Sequence, residues 1–205
     1  SPMPETALGL QPEPGLPRLP RGSAITVGTF DGVHRGHQAV LEELRRRAEA
    51  AGRPSIVVTF DPHPLRVVRP EAAPRLLTTL VEKKELLAQT GLDYAAIIPF
   101  TLALARLSAR QFVEEILIAR LQLAHLIVGY DHGLGRGRSG DIETLRRLGA
   151  ELGFAVDVVG AVELDGVAIS STRIRRALEQ GDVSTAAAAL GRPYSIRGVV
   201  VRGEG

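Results

Sequence analysis

Two histidines stand three residues apart in the stretch GTFDGVHRGH at 28–37, directly after a short apolar segment. The chain has only five histidines in 205 residues, so the pairing of His34 with His37 is distinctive. If a helix opens just before His34, both rings lie one turn apart, where unpaired backbone N–H groups and the helix dipole attract anions. Gly32 and Gly36 carry no side chains, so a phosphate can approach the backbone closely. The pattern predicts a cradle for a polyphosphate.

The same two rings have two other interpretations. A metal site would need a third ligand from elsewhere in the chain, for which Asp31 and His63 are the candidates. Alternatively, both histidines are ordinary surface residues at a polar helix start. We favour phosphate binding, because the Phe-Asp-Gly sequence at 30–32 directly precedes the pair, and we expect no resident metal ion.

A second anion contact is indicated by ISSTRIRRAL at 169–178. Hydroxyl groups at a helix start either cap the helix or bind phosphate oxygens, and Ser171 and Thr172 stand at such a start. Arg175 follows one turn later, where its guanidinium can pair with phosphate. Capping alone would explain the hydroxyls. Because the chain already holds one phosphate cradle, we expect phosphate contact here as well.

A third stretch, GRGRSG at 135–140, fits the glycine pattern of dinucleotide-binding proteins. In those proteins the glycines follow a strand directly, and usually the first strand. Here five residues separate Gly129, at the end of the fourth predicted strand, from Gly135. We therefore interpret the stretch as a flexible glycine-arginine loop.

Continuous apolar segments alternate with helical patterns along most of the chain. Strands are predicted at 24–28, 55–60, 94–99, 125–129 and 154–160, and helices at 34–52, at 80–89, from residue 108 onward and at 142–152. Strands without polar alternation, separated by helices, are typical of a parallel sheet covered on both faces, with right-handed crossovers. The fold class predicted is α/β, with a Rossmann-like doubly wound parallel sheet.

The end of the chain has a different pattern. Two short helices, at 173–179 and before Gly191, predict a small helical subdomain, and residues 194–202 predict a strand that opens a second, all-β domain. Ligands of doubly wound sheets bind beyond the carboxyl ends of the strands. The residues expected at that rim follow four of the predicted strands, at 29–32, 61–64, 100–101 and 130–132.

The composition excludes several classes of protein. The absence of cysteine excludes disulfides, thiolate metal ligands and cysteine nucleophiles. No apolar run approaches the ~20 residues of a membrane helix, and no secretory signal pattern is present, so we expect a cytoplasmic protein without membrane contact. A net charge of only +2 and an aromatic content of 4% argue against nucleic acid as a partner. Residues 1–22 predict a loose leader, in which Ser1 and Pro2 before Met3 are typical of a vector remnant.

Several of these stretches together resemble one known superfamily. GTFDGVHRGH resembles the HxGH signature of the nucleotidyltransferases, and ISSTRIR resembles their second signature. The bacterial FAD synthetases, FMN adenylyltransferases usually fused to a riboflavin kinase, are the most similar group. Their pattern is followed in order by TFDPHP at 59–64, LLTTLVEKKELL at 76–87, IIPFT at 97–101 and GRPYSIRGVVVRGEG at 191–205. Leu104, His132 and Leu134 depart from it, because aromatic residues are usual there.

The resemblance implies that AMP passes from ATP to FMN, giving FAD and pyrophosphate, with Mg²⁺ arriving on ATP. It implies an FMN adenylyltransferase domain at 23–190, and at 191–205 a linker and the first strand of a riboflavin kinase domain. His34, His37 and Arg175 would be catalytic. The ATP-binding residues would be Gly28, Thr29, Phe30, Asp31, Gly36, Gly129, Asp131, Ser171 and Thr172. The flavin-binding residues would be Phe60, Asp61, Pro62, His63, Pro64, Phe100 and Thr101.

Two alternatives share these signatures. Another HxGH adenylyl- or cytidylyltransferase, acting on nicotinamide mononucleotide or phosphopantetheine, would carry the same histidine and serine-threonine stretches. The TFDPHP and IIPFT segments favour the flavin substrate. A non-catalytic flavin or nucleotide sensor would bind the substrates without releasing pyrophosphate.

Overall fold

The fold is taken from a computed structural model, which describes residues 16–135, 137 and 140–203. Five parallel strands form one sheet in the spatial order β3-β2-β1-β4-β5. Their bounds are β1 Ser23–Val27, β2 Ser55–Asp61, β3 Tyr94–Pro99, β4 Leu123–Gly129 and β5 Ala155–Val159. The predicted doubly wound α/β sheet is confirmed, and each predicted strand lies within two residues of its predicted bounds.

Helices flank the sheet, and two of them follow it in the chain. They are α1 Arg35–Ala51, α2 Pro64–Val68, α3 Leu80–Ala88, α4 Leu102–Ala105, α5 Ala109–Phe112, α6 Ile142–Leu152, α7 Ser171–Glu179 and α8 Val183–Leu190. A 3-10 turn occupies Pro70–Ala72, and α5 continues as a π-helix over Val113–Ile118. A two-stranded antiparallel hairpin, β6 Glu163–Leu164 and β7 Val167–Ala168, precedes α7. The sequence patterns missed α2, α4, the hairpin and the π-helical geometry.

The strand order creates the site. The chain runs outward from β1 through β2 to β3, then returns to the other side of β1 for β4 and β5. The crevice between the carboxyl ends of β1 and β4 is therefore the switch point at which such sheets bind ligands. Helix α1 covers this junction, packing Val40, Leu44 and Ala48 against Ala24 and Ile127.

The helix ends follow from local chemistry. Gly52 ends α1 in the left-handed conformation, at φ 62°, as glycine readily does. Ser108 and Gln111 form the predicted capping box of α5. Thr79 caps α3 by accepting the Glu82 N–H at 3.2 Å, the first half of the box expected there.

The strand predicted at 194–202 is absent, because these residues pair with no strand in the described part of the chain. Ile196, Val199 and Val200 are 87%, 89% and 98% exposed. An apolar segment becomes a strand only when a neighbour satisfies its backbone. The assignment of these residues to a second domain stays a prediction. The leader predicted at 1–22 lies outside the described residues up to residue 15, and no described helix is long and apolar enough to cross a membrane.

Candidate active site

A cavity of about 660 Å³ lies at the carboxyl ends of the strands, across the switch point. Its wall holds thirteen of the predicted site residues: Gly28, Thr29, Phe30, His34, Gly36, His37, Phe60, His63, Pro64, Phe100, Gly129, Asp131 and Ser171. Six others are not on this wall: Asp31, Asp61, Pro62, Thr101, Thr172 and Arg175. The segments predicted to bind phosphate and flavin therefore meet at one cavity.

The turn that joins β1 to α1 has an uncommon backbone. Phe30, Gly32 and Val33 have φ values of 50°, 84° and 42°. A β-branched residue in the left-handed region costs about 1–3 kcal/mol and persists only where surrounding contacts hold it. Val33 is 2% exposed, and the Gly32 N–H donates to Thr78 Oγ1 at 3.1 Å. This turn presents the next residue, His34, to the cavity.

His34 and His37 form a reciprocal capping box at the start of α1. The Nδ1 atom of His34 accepts the His37 N–H at 3.2 Å, and the Nδ1 atom of His37 accepts the His34 N–H at 3.3 Å. The rings stack with centroids 3.6 Å apart, at an angle of 14°. Because each Nδ1 is an acceptor, a neutral ring carries its proton on Nε2.

Burial keeps both rings neutral. Burial lowers the pKa of His34 to about 4, although Asp131 and Asp31 oppose the shift. Burial, with His34 and Lys83 nearby, lowers the pKa of His37 well below its usual range. Each ring is therefore a neutral Nε2–H donor near pH 7, suited to stabilising charge that develops on phosphate oxygens.

The capping box changes one detail of the sequence prediction. We expected unpaired N–H groups at the start of α1, and the two histidine N–H groups are instead satisfied by ring nitrogens. The N–H groups of Arg35 and Gly36 have no hydrogen-bond partner within the described part of the chain. A Cβ atom at Gly36 would lie 2.9 Å from His34 Cε1, so only glycine leaves this ring in place.

Arg175 is held by Asp31 rather than by the cavity wall. Its guanidinium forms an ion pair with the Asp31 carboxylate, and its Nε donates to the Arg75 carbonyl at 2.7 Å. The other Asp31 carboxylate oxygen accepts the N–H groups of Leu77 and Thr78 at 2.9 and 3.2 Å. Asp31 is 4% exposed and fully engaged, so it ties the two predicted phosphate segments together.

In the second signature, one serine caps α7 and the next lines the cavity. Ser170 is the N-cap of α7, because its Oγ accepts the Arg173 N–H at 3.1 Å. Ser171 lines the cavity and donates its hydroxyl to the Asp31 carbonyl at 2.9 Å. Thr172 is exposed and lies off the wall. The capping interpretation thus holds for Ser170, which was not among the predicted site residues.

The predicted flavin segments form an aromatic end of the cavity. Phe60 meets Phe100 edge to face, with centroids 5.4 Å apart, and meets Phe112 at 6.1 Å. His63 Nδ1 caps α2 by accepting the Leu65 N–H at 3.1 Å. Thr101 likewise caps α4, so its hydroxyl is used away from the cavity. The Asp61–Pro62 bond is cis.

Lys83 is a functional candidate that the sequence did not reveal. It is 9% exposed, and its Nζ donates to the Thr29 carbonyl at 3.1 Å, Thr59 Oγ1 at 3.1 Å and the Phe60 carbonyl at 3.3 Å. Burial lowers its pKa. It lines a small cavity beside the main one, together with Asp31, Asp61 and His63. The lysine therefore joins the carboxyl ends of β1 and β2.

Leu104 and Leu134, at two positions where aromatic residues were expected, are buried in the apolar core and line the cavity. The loop at 135–140 is described only at Gly135, Gly137 and Gly140, of which the first two line the cavity. Helix α6 begins beyond it, at Ile142, with Asp141 as its N-cap. Within residues 16–135, 137 and 140–203, no group of three or more His, Asp or Glu side chains could hold a metal ion.

Comparison with known proteins gives a consistent result. A family model described as FAD synthetase matches residues 16–173. The bifunctional riboflavin kinase/FMN adenylyltransferase of Pseudomonas fluorescens is 44% identical over 90% of this chain, and that of Escherichia coli K12 is 39% identical over 89%. The chain spans 59% and 58% of those two proteins. A crystal structure of a Streptococcus pneumoniae protein described as a macrolide-efflux protein is 28% identical, with a TM-score of 0.78 over 90% of this chain and 60% of that one.

Proposed function

The chain belongs to the FAD synthetase family, and from this premise we propose that it is an FMN adenylyltransferase, which transfers AMP from ATP to FMN and releases pyrophosphate. The observation that carries the proposal is the pair of neutral Nε2–H donors, His34 and His37, on the wall of a cavity with an aromatic end. The whole protein's pairing with a riboflavin kinase is likewise proposed from its relatives' names.

The reaction requires the protein mainly to align the two substrates and to stabilise the charge that develops on the α-phosphate. A phosphate oxygen of FMN attacks the α-phosphorus of ATP, a new P–O bond forms, and the bond to the β-phosphate oxygen breaks as pyrophosphate leaves. The attacking oxygen is already anionic near pH 7, so no general base is required. Donors that strengthen as charge develops on the α-phosphate supply the catalysis.

The residues divide between the two substrates by position. We assign His34 and His37 to the transferring phosphate, because their Nε2–H groups are free of the capping interactions. Ser171 and Arg175 are assigned to the β- and γ-phosphates, with Thr172 beside them. The nucleoside is assigned to Gly28, Thr29, Phe30, Gly129 and Asp131, and Gly36 is assigned to the phosphate beside the two histidines.

The flavin is assigned to the aromatic end of the cavity. Phe60 and Phe100 offer ring faces and edges, and His63 with Pro64 forms the adjoining rim. Asp61, Pro62 and Thr101 shape this end from behind the wall. Large aromatic surfaces bury well against such side chains, so this end suits an isoalloxazine ring better than a nicotinamide or pantetheine group.

We propose that Mg²⁺ enters with ATP, because hard cations bridge phosphate oxygens and commonly keep several waters. Bound in this way, Mg²⁺ would neutralise charge on the phosphates. A cytoplasmic setting and the absence of nucleic acid as a partner remain predictions from the sequence.

The test is to incubate the chain with ATP, Mg²⁺ and FMN, and to follow FAD and pyrophosphate by chromatography. Nicotinamide mononucleotide and phosphopantetheine are run in parallel. The H34N variant tests the role of His34. Its side-chain oxygen keeps a cap acceptor for α1, while the Nε2–H donor is lost. We expect FAD from the unmodified chain and turnover lower by about 10²–10³-fold in H34N, with FMN affinity little changed.

Two results would reject the proposal. Turnover of another substrate in place of FMN would identify a different nucleotidyltransferase. Saturable binding of FMN and ATP without pyrophosphate release would identify a sensor.

A further inference from the structure

Arg192 lies outside the predicted catalytic domain at 23–190, yet its side chain reaches the turn before His34. Its guanidinium donates to the Gly32 carbonyl at 2.5 Å and to the Val33 carbonyl at 3.1 Å. It also donates to the Leu190 carbonyl, at the end of α8, at 3.4 Å. The partners Gly32 and Arg192 are 160 positions apart in the chain.

Gln38 makes a parallel connection. Its side-chain amide donates to the same Val33 carbonyl at 2.9 Å and to the Leu190 carbonyl at 2.9 Å. The Val33 carbonyl therefore accepts hydrogen bonds from two side chains, one of them cationic. These contacts help to hold Val33 at a φ of 42°, a conformation that a valine rarely adopts unaided.

The Val33 carbonyl belongs to the same planar peptide group as the His34 N–H. Arg192 and Gln38 donate to the carbonyl oxygen of this group, and its N–H donates to His37 Nδ1. Fixing the carbonyl end sets the direction of the N–H. Hydrogen bonds in a chain also polarise one another, so donors on the carbonyl strengthen the N–H as a donor.

We propose that Arg192, supported by Gln38, is a positioning residue that fixes the proton of His37 on Nε2 by orienting the Val33–His34 peptide. The inference rests on the proposed function only for its effect on turnover. The tautomer itself is a property of the chain. It follows that the segment after α8 belongs functionally to the adenylyltransferase site.

The test compares R192M and R192K with R197M in the full chain. Arg197 lies in the same segment but pairs with exposed Glu85 at 2.8 and 2.9 Å, away from the turn, so R197M is a matched loss of one arginine. The ¹⁵N chemical shifts of the histidine ring nitrogens report the tautomer of His37. Steady-state FAD formation reports kcat and KM separately.

We expect R192M to shift the His37 signals away from a pure Nε2–H ring and to lower kcat by about 10- to 100-fold, with KM little changed. R192K should recover part of both effects, because an ammonium can serve one carbonyl but lacks the planar fork. R197M should match the unmodified chain. Q38L, which removes the second donor to Val33, should shift the same signals to a smaller extent and covers the case in which R192M does not fold.

Unchanged His37 signals in folded R192M, or in Q38L if R192M does not fold, would overturn the proposal. An equal loss of kcat in R197M would also overturn it, because the effect would then not depend on the turn. If the unmodified chain makes no FAD, the proposed function fails while the nitrogen shifts still decide whether Arg192 sets the tautomer.

Discussion

His34 and His37 each use the Nδ1 atom to accept the other's backbone N–H, at 3.2 and 3.3 Å. Capping boxes are usually built from a Ser or Thr and a Glu or Gln. Here the two side chains proposed to stabilise the transferring phosphate also begin the helix that carries them. The same two hydrogen bonds therefore begin α1 and orient the Nε2–H groups of both rings.

The histidine pair predicts a loss of stability in mild acid. The pKa of His34 is about 4 in the folded chain against about 6.5 when unfolded, so between those values the unfolded chain binds more protons. Stability is then fully present above pH 6.5 and falls as the pH drops towards 4. The loss from His34 is on the order of 3 kcal/mol, and His37 acts in the same direction. Urea unfolding at several pH values measures it.

H34N is the control for this pH dependence, because asparagine keeps a cap acceptor and cannot take up the proton. Its unfolding free energy should fall less steeply over the same interval. Equal slopes in H34N and the unmodified chain would assign the acid sensitivity to other groups.

Replacing Gly36 with alanine should change activity without a comparable change in stability. Alanine favours a helix over glycine by about 1 kcal/mol, but its Cβ would stand 2.9 Å from Cε1 and 3.0 Å from Nδ1 of His34. The ring must therefore move. We expect G36A to lower kcat by about 100-fold while the free energy of unfolding changes by less than about 1 kcal/mol.

G198A is the matched control for G36A, because a Cβ at Gly198 meets no atom within 4 Å. It should leave FAD formation and unfolding unchanged. Full activity in G36A would show that the site tolerates a displaced His34 ring.

Much of this arrangement could be predicted from the sequence, because the signals were local. An unbroken apolar run such as SIVVTF at 55–60 indicates a buried strand wherever it occurs, and the spacing of His34 and His37 indicates one helical face. Lys83 and Arg192 could not be predicted because most of their partners are backbone carbonyls, which every residue possesses, in segments distant along the chain. The segment at 194–202 forms no strand in the described chain, because apolar residues indicate a strand without showing whether a neighbouring strand is present.

The ion pair of Arg175 with Asp31 predicts a combined effect on stability and nucleotide binding. Only 17% of the Arg175 side chain and 5% of the Asp31 side chain are exposed, so removing one partner leaves a charge buried without its counter-ion. We expect R175A to lower the free energy of unfolding by about 3 kcal/mol and to weaken ATP binding. Chemical denaturation and calorimetric titration with ATP measure the two effects.

Two further variants isolate this pair. R176A changes the neighbouring arginine, which is exposed, and should be close to neutral. The double variant D31N/R175A should lose less stability than the sum of the single variants, since no charge remains buried alone. Strict additivity would mean that the ion pair does not couple the two segments.

The last prediction concerns Lys83, which joins the carboxyl ends of β1 and β2 and should affect both stability and substrate binding. Replacing it with methionine keeps the bulk of the side chain but removes the Lys83 donor from the Phe60 carbonyl, while the Thr29 carbonyl keeps only the Thr59 hydroxyl at 3.2 Å. We expect K83M to lower the free energy of unfolding by about 1–2 kcal/mol, because the buried Phe60 carbonyl then loses its donor and the Thr29 carbonyl loses one of two. Binding of the two anionic substrates should also weaken, because a buried positive charge is removed from beside the cavity.

K84M is the matched control, since Lys84 is the next residue on α3 and is exposed. Calorimetric titration with ATP and with FMN, compared between the two variants, separates the buried charge from a general loss of positive charge. If K84M weakened substrate binding as much as K83M, the effect would come from the net charge of the chain. A loss confined to K83M would show that the buried positive charge of Lys83 contributes to substrate binding.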